Sequence, residues 1–264
     1  MKKIKQLIML GVLAALTAGT VGCAKPQVEE KTFLETIKEN GVLKIGTEGT
    51  YAPFSFHDDA NNLVGYDVEI AKALADALGV KAEFVETKWD AMIAGLDAER
   101  YDVVINQVSI TEERQSKYDF STPYTVSKAV LIVHSEDEAI TSFEDLKGKK
   151  SAQSLTSNFA GIAEGYGAEL VGTDGFNQSV ELVLSKRADA TINDDVTYYD
   201  YLKQKPEAAI KIVASQEDAS KSAVLIRKGN DDFVKAINEA MEKLQADGTI
   251  KRISEEYFGV DISK

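Results

Sequence analysis

The segments VLKIGT (residues 42–47), GYDVEIAKALADALG (65–79) and AEFVET (82–87) decide the fold class of this chain. The first and the third read as short apolar strands. The middle segment carries Val68, Ala71, Leu74 and Leu78 at helical spacing, and Gly79 stands where a helix typically ends. A strand, a helix and a strand in succession are typical of α/β folds.

The same alternation continues along the chain. Further helices are predicted in residues 89–100, in the segment that follows SAQ (151–153), in ELVLSKRADATI (181–192) and in 231–248. Further strands are predicted in YDVVI (101–105), KAVLIVH (128–134) and AAIKIVA (208–214). No repeat or proline-rich linker divides the pattern. If the chain forms two lobes, it must cross between them on strands, and we expect the crossings near Ser127–Ala129 and near Ser220–Ser222.

The N-terminus has the features of an export signal. Lys2, Lys3 and Lys5 precede the apolar run LIMLGVLAALTAG, which is too short for a membrane span, and TVGC follows. This pattern resembles the lipobox of bacterial lipoproteins, in which the cysteine is acylated, for example with palmitate. It departs from the lipobox at Thr20, where leucine is usual, so a plain secretory signal is the alternative. We expect a signal peptide in 1–22, a lipid on Cys23 and a tether in 23–32.

Composition excludes several classes of function. The 264 residues are 44% hydrophobic and carry a formal charge of −13, which disfavours nucleic acid and anionic lipid as partners. One cysteine provides no disulfide framework, and the two histidines, His57 and His134, lack metal-ligand spacing. No nucleophile elbow or nucleotide-binding glycine loop is present. We therefore expect no cofactor and no enzyme, although Glu48 and Asp194 could still form an acid–base pair.

The stretch INQVSITEERQ (105–115) places a cation at an unfavourable position. If Thr111 caps a helix, Arg114 lies at its third residue, where the positive end of the helix dipole disfavours it. One interpretation is an ion pair with Glu113 or Asp119. The other is a bound carboxylate, held by the guanidinium and by free N–H groups at the helix start.

Other polar and aromatic residues also lie where strands end. The hydroxyls of Ser154, Thr156 and Ser157 could cap a helix or contact a ligand, and Asp194 could cap the next helix or hold an ammonium group. Aromatic residues in loops normally pack on a core. Here the loop aromatics are Tyr51, Phe54, Phe56 and Trp89. Together with an anion site and a cation site, they predict a pocket with apolar walls for a small zwitterion.

The motifs GYDVEIAKAL, TEERQSKYDFSTPY and LQADGTIKRISEEYFG resemble the polar amino-acid class of solute-binding proteins of bacterial ABC importers. The resemblance covers residues 33–262, and GTEGTYAPFSFHD, ETKWDAMIAGL, VVINQVSIT and SAQSLTSN resemble the cystine-binding members most. It implies an α/β, type II periplasmic-binding-protein fold with two lobes joined by two crossing strands. Lobe I would comprise 33–127 and 222–264, and lobe II 128–221.

The resemblance also implies a role for individual residues. Arg114 would hold the ligand's α-carboxylate with the help of Ser109 and Thr156, and Asp194 would hold its α-amino group. Tyr51, Trp89 and Phe54 would form aromatic walls. Glu48 would face the side-chain end of the ligand, and Asn106 and Gln107 would reach polar groups at the far end of a long ligand.

The expected protein is thus a monomeric, lipid-anchored carrier outside the cytoplasm that delivers an amino acid, with cystine favoured, to ABC permease subunits. Three alternatives remain open at this point. The ligand could be glutamine or a basic amino acid, the chain could be a sensing domain for a receptor, or it could be an enzyme, because some periplasmic dehydratases share this fold.

Overall fold

Two five-stranded sheets organise the part of the chain that the structure, a computed structural model, describes, which is residues 31–264. The predicted signal peptide, Cys23 and nearly all of the tether lie outside the described residues. Within residues 31–264 no helix combines the length and the apolar character needed to cross a bilayer.

The first sheet has the strand order β5-β1-β6-β15-β7, and we call the part of the chain around it lobe I. β1 runs parallel to β5 and β6, whereas β15 is antiparallel to both of its neighbours. The elements of lobe I are α1 (Phe33–Asn40), β1 (Val42–Thr47), β2 (Thr50–Tyr51), β3 (Ser55–His57), β4 (Leu63–Val64), α2 (Tyr66–Leu78), β5 (Lys81–Glu86), α3 (Trp89–Asp97), β6 (Val103–Val104), α4 (Glu112–Lys117), β7 (Tyr118–Phe120), β15 (Leu225–Arg227), α8 (Asp231–Ala246) and α9 (Thr249–Phe258).

The second sheet has the order β11-β10-β12-β9-β13 and organises lobe II. β10 is parallel to β11 and β12, and β9 is antiparallel to β12 and β13. The elements of lobe II are β9 (Ala129–His134), a 3-10 helix (Phe143–Leu146), β10 (Lys150–Gln153), α5 (Asn158–Gly165), β11 (Glu169–Gly172), α6 (Phe176–Leu184), β12 (Ala190–Asp194), α7 (Asp195–Gln204) and β13 (Ile210–Ser215).

The chain passes between the lobes on β8 (Thr125–Ser127) and β14 (Ser220–Ser222), which pair in antiparallel register with Ser127 opposite Ser220. The predicted α/β fold with two lobes and two crossing strands is therefore confirmed. Two helices, α1 and α9, were not predicted. α9 follows Gly248, which was read as the end of the last helix and which instead has a left-handed φ of 81° at the junction of α8 and α9.

Local sequence explains several of the helix ends. The Thr111 side chain accepts a hydrogen bond from the Arg114 N–H at 3.2 Å, so Thr111 caps α4 as expected. Gly79 ends α2 with a φ of 77°, a left-handed backbone that glycine adopts without steric cost. Of the three hydroxyls before α5, Ser157 is the cap, because its Oγ accepts from the Ala160 N–H at 3.0 Å.

Candidate functional site

The carboxyl ends of the strands from both sheets point into one cleft between the lobes. Glu48 follows β1, Asn106 and Gln107 follow β6, and Asn193 and Asp194 end β12. Ligands of open α/β sheets bind at such strand ends, because connecting loops there leave a crevice. The location of the candidate residues thus follows from the topology of the two sheets.

A narrow inner cavity of about 50 Å³ lies in the cleft. Half of the predicted ligand-binding residues line it, namely Glu48, Tyr51, Trp89, Asn106 and Gln107. The sequence did not single out the residues that lobe II contributes besides Ser154 and Ser157, which are Gln153, Asn158, Phe159, Gly175, Phe176, Ser179 and Asn193. Most of these are small or amide side chains, which carry no signal in a single sequence beyond an ordinary strand or helix.

Three other predicted residues, Ser109, Arg114 and Thr156, line a wider outer groove of about 790 Å³. Ser157 and Asn158 line both the inner cavity and the outer groove, so the two spaces are neighbours. The residues predicted to line a single pocket therefore line two adjoining spaces in the structure. Trp89 lines the inner cavity, and Arg114 lines the outer groove.

Phe54 and Asp194 line neither space. Phe54 is fully buried, and its ring packs on Tyr51 with a centroid distance of 5.0 Å and on Phe258 at 5.7 Å. Phe54 thus supports the Tyr51 ring from behind. Asp194 is 2% exposed, and its Oδ1 accepts a hydrogen bond from Ser127 Oγ at 2.6 Å.

Arg114 is a buried cation without an acidic partner in the described part of the chain. Its side chain is only 7% exposed, its Nη1 donates to the Ser109 carbonyl at 3.0 Å, and its guanidinium lies 5.4 Å from the centre of the Trp89 ring. The ion pair considered with Glu113 is absent, because Glu113 Oε1 pairs with Lys117 Nζ at 3.0 Å. Burial lowers the pKa of Arg114 to about 10, so the group stays charged and its charge is available to an anion.

Glu48 is held in place by Asn106, which is fully buried. Asn106 Nδ2 donates to Glu48 Oε2 at 2.8 Å, and Asn106 Oδ1 accepts from the Glu48 backbone N–H at 2.9 Å and from Thr47 Oγ1 at 3.0 Å. Burial raises the pKa of Glu48 to about 7, although the hydrogen bonds from Asn106 and from the Trp89 backbone oppose this shift. Asn106, which was predicted to reach the ligand, uses its amide atoms inside the protein.

Gln107 also directs its amide nitrogen into the protein. Its Nε2 donates to Asp67 Oδ1 at 2.6 Å and to Thr125 Oγ1 at 3.2 Å, and its φ of 51° is in the left-handed region. A non-glycine residue in this region is uncommon and costs backbone energy, and such residues cluster at functional sites.

Asp67 is a buried acid that sequence reasoning missed, and it contacts the cavity residue Gln107. It lies in the first turn of α2, where an acidic residue reads as a partner of the helix dipole. It is 1% exposed, and burial raises its pKa to about 7. Glu69 is a second acid in the same turn, so nothing in the sequence distinguishes Asp67 as the buried one.

Three acids, of which Asp194 and Asp67 are buried and Glu48 is half-buried, act on the Tyr51 hydroxyl through their charges. Burial raises the pKa of Tyr51 well above its ordinary value, and the charges of Asp194, Glu48 and Asp67 add to this shift. Burial likewise raises the pKa of Asp194 to about 7. None of the three acids has a cationic side chain within 4.0 Å in residues 31–264.

Contacts between the lobes partly cover the cleft. Tyr51 Oη donates to Asn193 Oδ1 at 2.8 Å, and Lys88 Nζ lies 2.7 Å from Asp174 Oδ2. The backbone N–H and the hydroxyl of Thr156 both donate to Asp90 Oδ1, at 3.0 and 2.9 Å. Thr156, predicted to hold the ligand's carboxylate, therefore has both donors engaged by Asp90 in this structure.

A two-lobed α/β fold with a charged cleft between the lobes is the architecture of extracellular binding proteins for small solutes. Residues 43–260 match the bacterial extracellular solute-binding proteins, family 3, and the chain belongs to this family.

Two curated relatives and one solved structure are similar to the chain. A probable amino-acid ABC transporter-binding protein of Haemophilus influenzae is 47% identical over 87% of this chain and 90% of its own length. The L-cystine-binding protein TcyA of Bacillus subtilis is 41% identical over 98% of this chain and 96% of its own. The L-cystine solute receptor of Neisseria gonorrhoeae, solved in an unliganded open conformation, is 48% identical with a TM-score of 0.59, covering 89% of this chain and 100% of that one.

Proposed function

We propose that this protein is an extracytoplasmic carrier that captures L-cystine and delivers it to the membrane subunits of an ABC importer. The observation that carries this proposal is the charge arrangement of the cleft. Among the described residues, the buried Arg114 guanidinium has no acidic partner, and the buried Asp194 and the half-buried Glu48 have no cationic partner. Buried charges are costly when unpaired, so the cleft favours a ligand that brings both an anion and a cation.

The α-carboxylate of the ligand binds Arg114 in the outer groove, and its α-ammonium group binds on the side of Asp194. A guanidinium binds a carboxylate with two parallel hydrogen bonds, which fixes its orientation. Ser109 offers its backbone, and Trp89 and Tyr51 provide apolar walls. The amino acid thereby contacts both lobes, so it binds the closed arrangement better than the open one and shifts the population towards it.

The position of Glu48 favours a ligand with a second ammonium group. Glu48 lines the inner cavity, whereas Arg114 lines the outer groove, and these spaces adjoin at Ser157 and Asn158. A long ligand held at Arg114 would extend from the outer groove towards Glu48, and cystine carries an ammonium group at each end. Asn106 holds the Glu48 carboxyl, so that its role is to position Glu48 rather than to touch the ligand. The similarity to the two cystine-binding proteins supports the same ligand.

The membrane attachment follows from the N-terminal sequence. The lipobox-like TVGC makes Cys23 the site of a lipid that holds the protein at the outer face of the cell membrane, after removal of residues 1–22. The carrier acts as a monomer, because its ligand site lies within one chain. Binding without turnover is proposed as its activity, and recovery of the ligand unchanged after prolonged incubation separates this from a dehydratase-like reaction.

A thermal-shift screen of the protein amino acids plus cystine, followed by calorimetry, tests the ligand. Cystine is expected to raise the unfolding temperature most. A larger shift with glutamine, arginine or lysine would replace cystine by that ligand. No shift with any amino acid, in a protein that unfolds cooperatively, would contradict the proposed function altogether.

Two mixed disulfides of cysteine test the role of Glu48. The disulfide with cysteamine keeps the far ammonium group of cystine, and the disulfide with 3-mercaptopropionate keeps the far carboxylate instead. The wild-type protein is expected to bind the first more tightly by at least about tenfold, because one close charge pair is exchanged for repulsion. Glu48→Gln should remove this preference. The reverse preference in the wild-type protein would place another group at the far end of the ligand.

A further inference from the structure

The segment Lys88–Trp89–Asp90 at the start of α3 contacts lobe II on both sides of the cavity wall. Lys88 Nζ lies 2.7 Å from Asp174 Oδ2, and Asp90 Oδ1 accepts both hydrogen bonds from Thr156. Between these two residues, Trp89 lines the inner cavity. The two residues that flank Trp89 thus join the lobes directly next to the side chain that covers the ligand space.

The position of Lys88 indicates that its contact with lobe II is more than incidental. Lys88 is the N-cap residue of α3 and makes no capping hydrogen bond. A cation is unfavourable at the positive end of a helix dipole, and a nearby acid compensates for it. Here the acid comes from the other lobe, as Asp174, which precedes α6. When the cleft opens, Lys88 loses this compensation.

We propose that Lys88 and Asp90 are positioning residues that hold the cleft closed through Asp174 and Thr156 and keep Trp89 in the cavity wall. This inference rests on the proposed function, because it concerns the closing of the same cleft. The ligand binds the closed arrangement, so the apparent affinity is the intrinsic affinity scaled by the fraction of closed molecules. The two contacts raise this fraction without touching the ligand, and they slow its release.

The contacts also predict a dependence on salt. The side chains of Lys88 and Asp174 are 70% and 67% exposed, so dissolved ions screen their attraction. Raising the salt concentration to about 1 M, where the screening length is about 3 Å, therefore opens part of the ligand-free population. The Asp90 contact is less affected, because it consists of two hydrogen bonds at short range.

Trp89 reports on the closed fraction without any label, because it is the only tryptophan in the sequence. Quenching of its fluorescence by acrylamide, a neutral quencher, increases when the cleft opens. The variants are Asp174→Asn, which is remote from the fluorophore, and Asp90→Ala. The matched control is Glu136→Gln, since Glu136 pairs with Lys186 at 2.8 Å within lobe II at similar exposure.

We expect Asp174→Asn to increase quenching in the ligand-free protein and to speed cystine release about two- to fivefold, the range for an exposed ion pair. Asp90→Ala should speed release about tenfold, because two charge-assisted hydrogen bonds are lost. Glu136→Gln should match the wild-type protein in both measurements. The salt effect on quenching should be present in the wild-type protein and absent in Asp174→Asn.

Increased quenching or faster release with Asp174→Asn supports the proposal. Quenching and release that equal the wild-type values in both Asp174→Asn and Asp90→Ala would overturn it. If the wild-type protein binds no amino acid, the proposed function fails, and quenching of the ligand-free variants then decides the inference alone.

Discussion

Lowering the pH from about 7.5 to about 5.5 is expected to weaken cystine binding steeply. Glu48 and Asp194 are proposed to bind the two ammonium groups of the ligand, and both must be ionised to do so. Burial raises the pKa of each to about 7 in the ligand-free protein. Protonation therefore removes the binding-competent form just below neutral pH, whereas the ammonium groups of the ligand stay charged over this range.

The size of the effect follows from these pKa values. A carboxyl with a pKa of about 7 is about 75% ionised at pH 7.5 and about 3% ionised at pH 5.5, so that each required carboxyl weakens binding about 25-fold. Two independent carboxyls together weaken cystine binding about 600-fold, which corresponds to about 4 kcal/mol of binding free energy. A carboxyl with an ordinary pKa near 4 would change the affinity by less than about twofold over this range.

Isothermal titration calorimetry at several pH values measures this dependence directly. Repeating the titration near pH 6 in two buffers of different ionisation enthalpy counts the protons released on binding, and between one and two are expected. Glu48→Gln removes one titrating group, so about a 25-fold dependence should remain. Glu136→Gln, an exposed acid of lobe II, should leave the full dependence unchanged.

Two outcomes would refute this reasoning. An affinity that is flat between these pH values would mean that neither carboxyl must ionise for binding. A full dependence retained in Glu48→Gln would mean that Glu48 does not meet an ammonium group of the ligand, and would transfer the effect to Asp194 or Asp67.

Two further substitutions separate binding from stability. Arg114→Ala should weaken cystine binding at least about 30-fold while changing the unfolding free energy of the ligand-free protein by less than about 1 kcal/mol, because the loss of one hydrogen bond is offset by the removal of an unpaired buried charge. The control Arg227→Ala removes two hydrogen bonds to the carbonyls of Leu96 and Tyr101, so it should lower the stability and leave cystine binding unchanged. A large loss of stability in Arg114→Ala would make Arg114 a structural residue. Asp194→Asn should weaken cystine binding and yet raise the unfolding temperature of the ligand-free protein near pH 8. The reason is the raised pKa of Asp194, since burying the ionised carboxyl costs stability above about pH 7 and nothing below its ordinary pKa of 3.8. Calorimetry should therefore show the higher unfolding temperature of the variant at pH 8 and not at pH 4.

The periodicity of the chain was sufficient for the fold class and for several local features. The alternation of strands and amphipathic helices predicted an α/β fold, and Thr111 and Gly79 marked helix ends that the structure confirms. Helix α9 was missed, because Gly248 reads as the end of a helix and here joins two helices. The match to the solute-binding family covers the residues on which the resemblance was based.

The candidate site was only partly accessible from the sequence. Acids, amides and aromatics at strand ends pointed to the cleft, because topology brings strand ends together. The sequence could not place Asn106 against Glu48, since these residues are 58 positions apart and the contact depends on how β1 and β6 pair. Asp67 was hidden for the same reason, as its contact with Gln107 spans 40 positions.

The sequence by itself determined the α/β pattern and the unusual arginine at the start of α4, because these depend on neighbours within about one helical turn. The tertiary structure alone decided which charges are paired. Within residues 31–264, Arg114 has no acidic partner, Lys88 pairs with Asp174, and Thr156 donates to Asp90. The carboxyls of Asp67 and Asp194 are buried. Electrostatic energies depend on distance and burial in three dimensions, and residues far apart in the chain set both.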